Sequence, residues 1–430
     1  MKKVFPHKGK IALVFVLAAP LLSFCSGAKD GDASRKSSPR NDLGFVLEEL
    51  IPGMEWSTWY RQTSGYSPDP EHFGAYITLP VGEDLYIGMG TGLPTLGDGA
   101  LVARFDGRKI EAIGALAEEG IHEMIWDHRT DTLHVAGTDP SWPDDWSAGN
   151  HYAYTPSLHK TIVKYRDPER GLVNVIHTWG LWLSDDHVLY AAVNAHDGSF
   201  TRDRNLLRRI FNRIYSMVDR RYYSTDYGVT RMGQLFKSKD SGKTWRHVSD
   251  VGYFRAYDVV GFNDKFYALY TDTPESSCKI AVSDDGAEKW RDVTQGHLQQ
   301  VHLTQFNDEL LAVSLDGRTV YAVNRDTFDK YNLPEDFKVE SHYNFNVLAV
   351  GKDYLYVVCT RDDSAYCILR TSNFREWDQV VCTDRKLVSL SYWKTHHSLV
   401  VSDTGLQAKL WKIDLNQSLE LGRLPGEGEY

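Results

Sequence analysis

The chain has 430 residues, with 48 Lys+Arg against 58 Asp+Glu for a net charge of −10, and is 42% apolar and 12% aromatic. That composition supports a sizeable core and excludes a disordered chain, while the acidic balance argues against a general nucleic-acid binder, which needs clustered positive charge. Five cysteines with no C-x-x-C pair exclude a disulfide-framed scaffold and a Cys-ligated zinc module.

Lys2, Lys3, Lys8 and Lys10 precede an apolar run, Ile11 to Phe24, broken by Pro20. The run is too short for a membrane-spanning helix, so residues 1–28 are expected to be a signal peptide. Leu22-Ser23-Phe24-Cys25 resembles a bacterial lipobox, which implies a lipid on Cys25 and an exported, surface-anchored protein. Phe24 departs from that pattern, which takes a small residue there, so ordinary cleavage after Ser26-Gly27-Ala28 is the rival. Residues 29–42 are polar and are expected to form a flexible tether. Of the remaining cysteines, Cys359 and Cys367 flank a short turn and are placed to face each other across a hairpin; free buried thiols are the alternative.

Length alone leaves room for three domains, but a repeat argues for one. An apolar strand, a polar turn and a second strand recur, the second strands anchored at Leu85, Leu133, Leu189, Phe266, Leu310, Leu355 and Leu399. The spacings are 48, 56, 77, 44, 45 and 44 residues, against roughly 40 to 50 for a four-stranded propeller blade. The expected fold is all-β: a seven-bladed β-propeller of four-stranded blades over residues 43–430, with insertions at 138–160 and 195–231. The N-terminal segment 45–54 or the segment 418–424 supplies the last strand and closes the ring, the former being the preferred reading.

Ser238, Asp240, Gly242, Thr244 and Trp245 form an S-x-D-x-G-x-T-W pattern. It resembles the Asp box, the turn of sialidase-type and related propellers. Asp caps the turn's N–H groups, Gly takes a conformation closed to other residues, and Trp packs beneath. Ser283, Asp285 and Trp290 repeat the spacing with Gly286 one place early, and 371–377 is a shorter copy. These are structural turns between the third and fourth strands of a blade.

The long insertions (90–99, 138–160 and 195–231) all fall between second and third strands, and so crowd the opposite face. Long loops gathered on one rim of a rigid scaffold usually form a binding site. Near the starts of the innermost strands, on that face, stand His122, His177, Arg255 with Tyr257, His302, and His342 with Tyr343 and Asn344. Three histidines in comparable positions suit acid–base chemistry or metal ligation, or simply line a wet channel; no cofactor is assigned. The blade-two loop offers Trp142, Asp145, Trp146 and His151, aromatic faces beside polar groups that suit sugar rings or cap the blade. His196-Asp197 opens the third insertion.

That insertion is basic: eight arginines and three aspartates between 202 and 231 leave a local charge of +5. Leu207, Ile210, Phe211, Ile214 and Val218 recur at helical spacing, so 205–221 is expected to be an amphipathic helix, with Arg208, Arg209 and Arg213 largely off its apolar stripe. Arginine's planar fork suits carboxylate, sulfate or phosphate; a solvated lid paired with local acids is the alternative.

The Asp boxes and signal peptide together resemble secreted carbohydrate-active propellers. A sialidase would carry an Arg-Ile-Pro motif, which is absent here. Seven-bladed polysaccharide lyases of the ulvan and oligogalacturonate types are the nearer comparison. That resemblance implies His122, His177 and Tyr257 moving a proton beside a uronic acid, with Arg255 or a metal neutralising its carboxylate. The sequence therefore supports an exported propeller binding an extracellular glycan, an anionic-glycan lyase or hydrolase, or a surface scaffold resembling Asp-box propellers that assist membrane-complex assembly. The expected partners are an anionic glycan or a surface protein, with membrane contact only through the lipid and no nucleic acid.

Overall fold

The computed structural model describes residues 39, 41–90, 99–140, 150–165, 170–172, 175–196, 223–224, 230–273, 277–293, 297–324, 327–340, 346–362 and 364–416. All of them fall in the compact unit Ser37–Tyr430. Cys25, the signal and tether segments, most of the basic insertion and the segment 418–424 lie outside the described residues. Among the described residues no helix is long and apolar enough to cross a membrane.

The chain is an all-β propeller with few helices, its strands forming six antiparallel sheets. The first sheet contains Gly74–Val81, Asp84–Gly90, Ala100–Phe105 and Ile110–Leu116. The second has nine strands. One run of four is Glu118–Asp127, Thr132–Pro140, His151–Tyr154 and Val163–Lys164. Another is Val175–Leu183, Leu189–His196, Thr230–Ser238 and Arg246–Asp250, with Tyr223–Ser224 added at the third strand. A single register pair, His177 with Thr138, joins the two runs. Six sheets are thus one fewer than the seven repeats, because two repeats share this sheet.

The next sheets are Arg255–Phe262, Lys265–Thr271, Lys279–Ser283 and Arg291–Asp292, then Thr304–Phe306, Glu309–Val313, Thr319–Asn324 and Thr327–Asn332. A five-stranded sheet follows, with Leu348–Val350, Leu355–Arg361, Ala365–Thr371 and Asp378–Thr383 plus the short strand Phe337–Lys338. The last sheet has Leu387–Trp393, Ser398–Asp403 and Leu410–Asp414. Its fourth strand is the N-terminal Glu48–Glu49, paired in register with Lys412 and Trp411. The two ends of the chain therefore close one sheet, and an edge that would otherwise be open is covered.

The anchors are buried for a physical reason. The sheets stack face to face, so their second strands have no solvated side and read as continuous apolar runs instead of alternating ones. Leu85, Leu133, Leu310, Leu355 and Leu399 are fully buried; Phe266 is half-buried at a sheet's end. Trp56–Ser64, a helix not foreseen in the sequence, packs Trp56 and Tyr60 one turn apart into the first sheet's core and stops at Gly65 in the left-handed conformation.

The cysteine expectation is corrected. Cys359 and Cys367 are directly opposed in register, yet the disulfide joins Cys367 to Cys382 on the next strand, leaving Cys359 and Cys278 as buried thiols. The Cα atoms of the bonded pair are 4.1 Å apart, the close spacing of a non-hydrogen-bonded cross-strand pair.

Two turns between third and fourth strands are closed by their own side chains. Asp240 accepts from the Thr244 N–H at 2.9 Å and the Thr244 hydroxyl at 2.7 Å, Ser238 accepts from the Gly242 N–H, and Trp245 Nε1 donates to Gly242 O. Asp285 likewise accepts from the Glu288 and Lys289 N–H groups, and Trp290 Nε1 donates to Ser249. In that second turn Ala287 as well as Gly286 takes positive φ, which absorbs the early glycine.

One irregularity positions the site. The first strands of successive runs pack on one another, and in five of them the register slips by one residue. Tyr76, His122, Trp179, Tyr257 and Val388 are extra residues, and Val175–Leu183 slips a second time at Ile176. A bulge of this kind re-aims a side chain that a regular strand would place elsewhere.

Candidate functional site

Three of those bulge residues meet. Trp179 is the hub: His122 meets its ring edge-on with centroids 4.7 Å apart, His177 stacks on it at 5.0 Å, and Tyr257 meets it at 5.2 Å. The Arg255 guanidinium lies 5.0 Å from the Trp179 ring and 4.6 Å from Phe254, within cation–π range. Arg255 Nη1 also donates to the Tyr257 hydroxyl at 3.4 Å. The structure therefore gathers His122, His177, Tyr257 and Arg255, the four residues to which the lyase resemblance would give proton transfer and carboxylate neutralisation.

It gathers them in a wall and not in an open channel. His177 is 1% exposed, and His122, Tyr257 and Trp179 are buried as well. Burial pushes the Tyr257 hydroxyl up from its ordinary range, and the Arg255 charge offsets this only in part. Arg255 alone of the four is half-buried. Among the described residues no carboxylate lies within ion-pair distance of it. The cluster is thus an aromatic and imidazole bed presenting one guanidinium, which is a geometry for holding an anion.

A second group lies next along the same strands. Counting back three residues from the partner of each anchor gives Glu123 (from Trp126), Gly180 (from Leu183), Asp258 (from Gly261) and His302 (from Gln305). These positions are equivalent in four consecutive repeats. His302 Nδ1 lies 2.9 Å from Glu123 Oε2 and 3.6 Å from Asp258 Oδ2, and its Nε2 is 3.1 Å from the His122 carbonyl. Asp258 is further held by the Val259 and Leu303 N–H groups at 2.8 and 2.7 Å. Gly180 makes the approach possible, since a Cβ there would sit 2.7 Å from Tyr257 O and 2.9 Å from Asp258 Cα. Burial alone lowers His302, but Glu123 and Asp258 outweigh it and hold the imidazole well above its ordinary range. Burial raises Glu123.

His151 departs from its expected place on the rim. It sits in the strand His151–Tyr154, buried, with Nε2 3.2 Å from His134 Nδ1 and its ring 5.1 Å from that of Trp245. The strand His151–Tyr154 pairs with Thr132–Pro140, which aims His151 under the neighbouring turn. Burial pushes His134 down to about 4, and burial with its neighbour's charge pushes His151 well below its ordinary range. In the unfolded chain such imidazoles titrate near 6.5. Between those values the unfolded state takes up protons that the folded state refuses, so stability is fully present above about pH 6.5 and falls towards pH 4. At about 1.4 kcal/mol per pKa unit, His134 alone costs about 3 kcal/mol at the acid end. Urea midpoints at pH 7 and pH 4.5 check this: the loss on acidification should shrink in His134→Gln. An unchanged loss would contradict the assignment.

Trp142, Asp145, Trp146, Asp197, Arg208, Arg209, Arg213, His342, Tyr343 and Asn344 lie outside the described residues, as does the side chain of His196, which ends a strand. Sequence reasoning missed Trp179, Glu123 and Asp258. Aligning the repeats on strand register, instead of on spacing from the anchors, is the signal that finds Glu123 and Asp258.

No family model matches the chain, and no curated protein does. Among solved structures, a puromycin-hydrolyzing peptidase of Mycobacterium tuberculosis is similar with a TM-score of 0.53 at 10% identity, covering 90% of this chain and 57% of that one. A puromycin hydrolase gives 0.53 at 12% identity, covering 83% of this chain and 53% of the other. YCF48 bound to a D1 peptide gives 0.48 at 10% identity, with 83% and 96% covered. The chain spans little more than half the length of the two hydrolases. At such identities the likeness concerns the fold alone.

Proposed function

We propose that this chain is an exported, lipid-anchored propeller that binds an anionic glycan on the face where the long loops between second and third strands gather. The blade count we assign is seven, taking the nine-stranded sheet as two blades, since a single register pair joins its halves. The turns at 238–245 and 283–290 are assigned as Asp boxes on their side-chain bonding. The N-terminal lysines, the apolar run and Leu22-Ser23-Phe24-Cys25 support export and a lipid on Cys25; absence of the lipid mass from the mature protein would remove the anchor.

The observation that carries the binding reading is Arg255. Its guanidinium is bedded on Trp179 and Phe254 with no carboxylate partner among the described residues. A planar cation held against flat aromatic surfaces suits a sugar ring that bears a carboxylate or sulfate. The arginines of the 202–231 insertion support the same preference for negative charge.

One observation favours a second reading, a polysaccharide lyase: His122, His177, Tyr257 and Arg255 do converge. The burial of His122, His177 and Tyr257, with Arg255 alone half-buried, favours binding over turnover. A panel of uronic-acid, sulfated and neutral polysaccharides, scored for retention and for ultraviolet absorbance of unsaturated ends, separates the two. Retention of acidic polymers without new absorbance is expected. Absorbance appearing with any uronic-acid polymer would replace binding with lyase chemistry, and retention of neither class would remove both.

A further inference from the structure

We propose that Glu123, Asp258 and His302 form a metal site on the propeller's innermost strands, taking a divalent first-row cation of the manganese-to-zinc range. The inference stands apart from the glycan reading. Among the described residues, these are the one group of three His, Cys, Asp or Glu side chains whose ligand atoms all lie within 4.8 Å of one another.

The argument rests on what His302 Nδ1 faces. Its Nε2 is set 3.1 Å from the His122 carbonyl, an oxygen that can only accept, so Nε2 carries a hydrogen. In the neutral ring Nδ1 is then a lone pair, turned towards carboxylate oxygens 2.9 and 3.6 Å away. Three electron-rich atoms at that separation repel unless a positive charge stands among them. A proton on Nδ1, paired with Glu123 Oε2 at 2.9 Å, is the charge that stands there without an ion, but it makes no aligned hydrogen bond and leaves Asp258 Oδ2 at 3.6 Å, so an ion ligated by all three atoms can take its place. Oxygens that flank the direction of a ring nitrogen, instead of lying on it, are the arrangement of ligands around an ion.

The donor set fits the charge and class. One neutral imidazole and two carboxylates give a charge of −2, matching a divalent ion. Mixed nitrogen and oxygen donors suit manganese to zinc more than calcium, which prefers six to eight oxygens. The outer contacts are those a ligand set needs. The His122 carbonyl fixes the His302 tautomer, and the Val259 and Leu303 N–H groups fix the Asp258 carboxylate. Gly180 supplies the space, because a side chain there would overlap Asp258. The three ligands come from equivalent positions of three repeats, so the ion would tie together first strands far apart in the chain.

The test uses tag-free full-length protein, stripped with chelator and titrated with Co2+, Mn2+ and Zn2+. One equivalent of ion per chain is expected, with a raised melting temperature. His302→Gln and Asp258→Asn, checked for wild-type circular dichroism, should bind at least about tenfold more weakly. Absence of stoichiometric uptake by the wild-type chain, or equal uptake by the variants, would overturn the site. Should the variants fail to fold, X-ray absorption of the zinc-loaded wild-type chain decides. One imidazole among oxygen donors supports the assignment, and none or several overturns it.

Discussion

Replacing Trp179 with alanine is expected to be the most damaging single change in the site. Its side chain is buried and touches His122, His177, Tyr257 and Arg255 at once. Removing an indole from a packed interior costs about 3 to 5 kcal/mol, because the walls close only partly on the space left behind. The space here is bounded by strands of a closed ring, which leaves little freedom to collapse. Arg255 would also lose one of the two rings its guanidinium rests on, so affinity for an anion should fall alongside stability. Trp179→Phe keeps an aromatic surface and should lose much less of both. Urea midpoints of the two variants provide the measurement; an alanine variant within about 1 kcal/mol of wild type would contradict the packing described.

The second large effect lies in a turn. Gly242 has φ of 79°, and a Cβ on it would overlap the buried His151 ring. Alanine there incurs the left-handed backbone cost of roughly 1 to 2 kcal/mol and, in addition, must displace an imidazole held between His134 and Trp245. Gly286 provides the internal control. It has nearly the same φ, 76°, but open space around it. Gly286→Ala should therefore show the backbone cost alone, and Gly242→Ala should exceed it by at least about 1 kcal/mol. Equal losses would mean that His151 does not sit beneath the turn.

The propeller itself was legible because its signal is repeated and local. Leu85, Leu133, Leu310, Leu355 and Leu399 each open a run with no polar alternation, as strands covered on both faces must. The 238–245 turn was legible because each residue serves a backbone need within the same eight residues. What the sequence hid depends on register. Glu123 precedes its anchor by ten residues and Asp258 by eight, since the first turns of their repeats differ in length. Only the pairing of Trp126 with Leu133 and Gly261 with Phe266 makes the two equivalent. The disulfide was hidden in the same way: Cys367 faces Cys359 on one side and Cys382 on the other, and sequence spacing favours the nearer. Trp179 carries no signal in the sequence, because an apolar ring on a strand is ordinarily core; its role follows from a bulge, which leaves no mark in composition.

The candidate site was partly legible. The place of His122, His177, Arg255 and Tyr257 near the starts of first strands is readable from the repeat, and in the structure these side chains lie around Trp179. The burial of His122, His177 and Tyr257 was not legible, because it depends on how the bulges at His122, Trp179 and Tyr257 turn these rings against one another.

The most direct test of the binding claim is calorimetric titration of the full-length protein with a uronic-acid oligosaccharide and its carboxyl-reduced counterpart. The wild-type chain should bind the acidic form and lose most of that affinity when the carboxylates are removed. Arg255→Gln should lose at least about tenfold in affinity for the acidic form alone, an effect of about 1.4 kcal/mol, at the low end for a charge-assisted pair. Equal binding of both sugars, or an Arg255→Gln variant with wild-type affinity, would contradict an anion-binding site at Arg255.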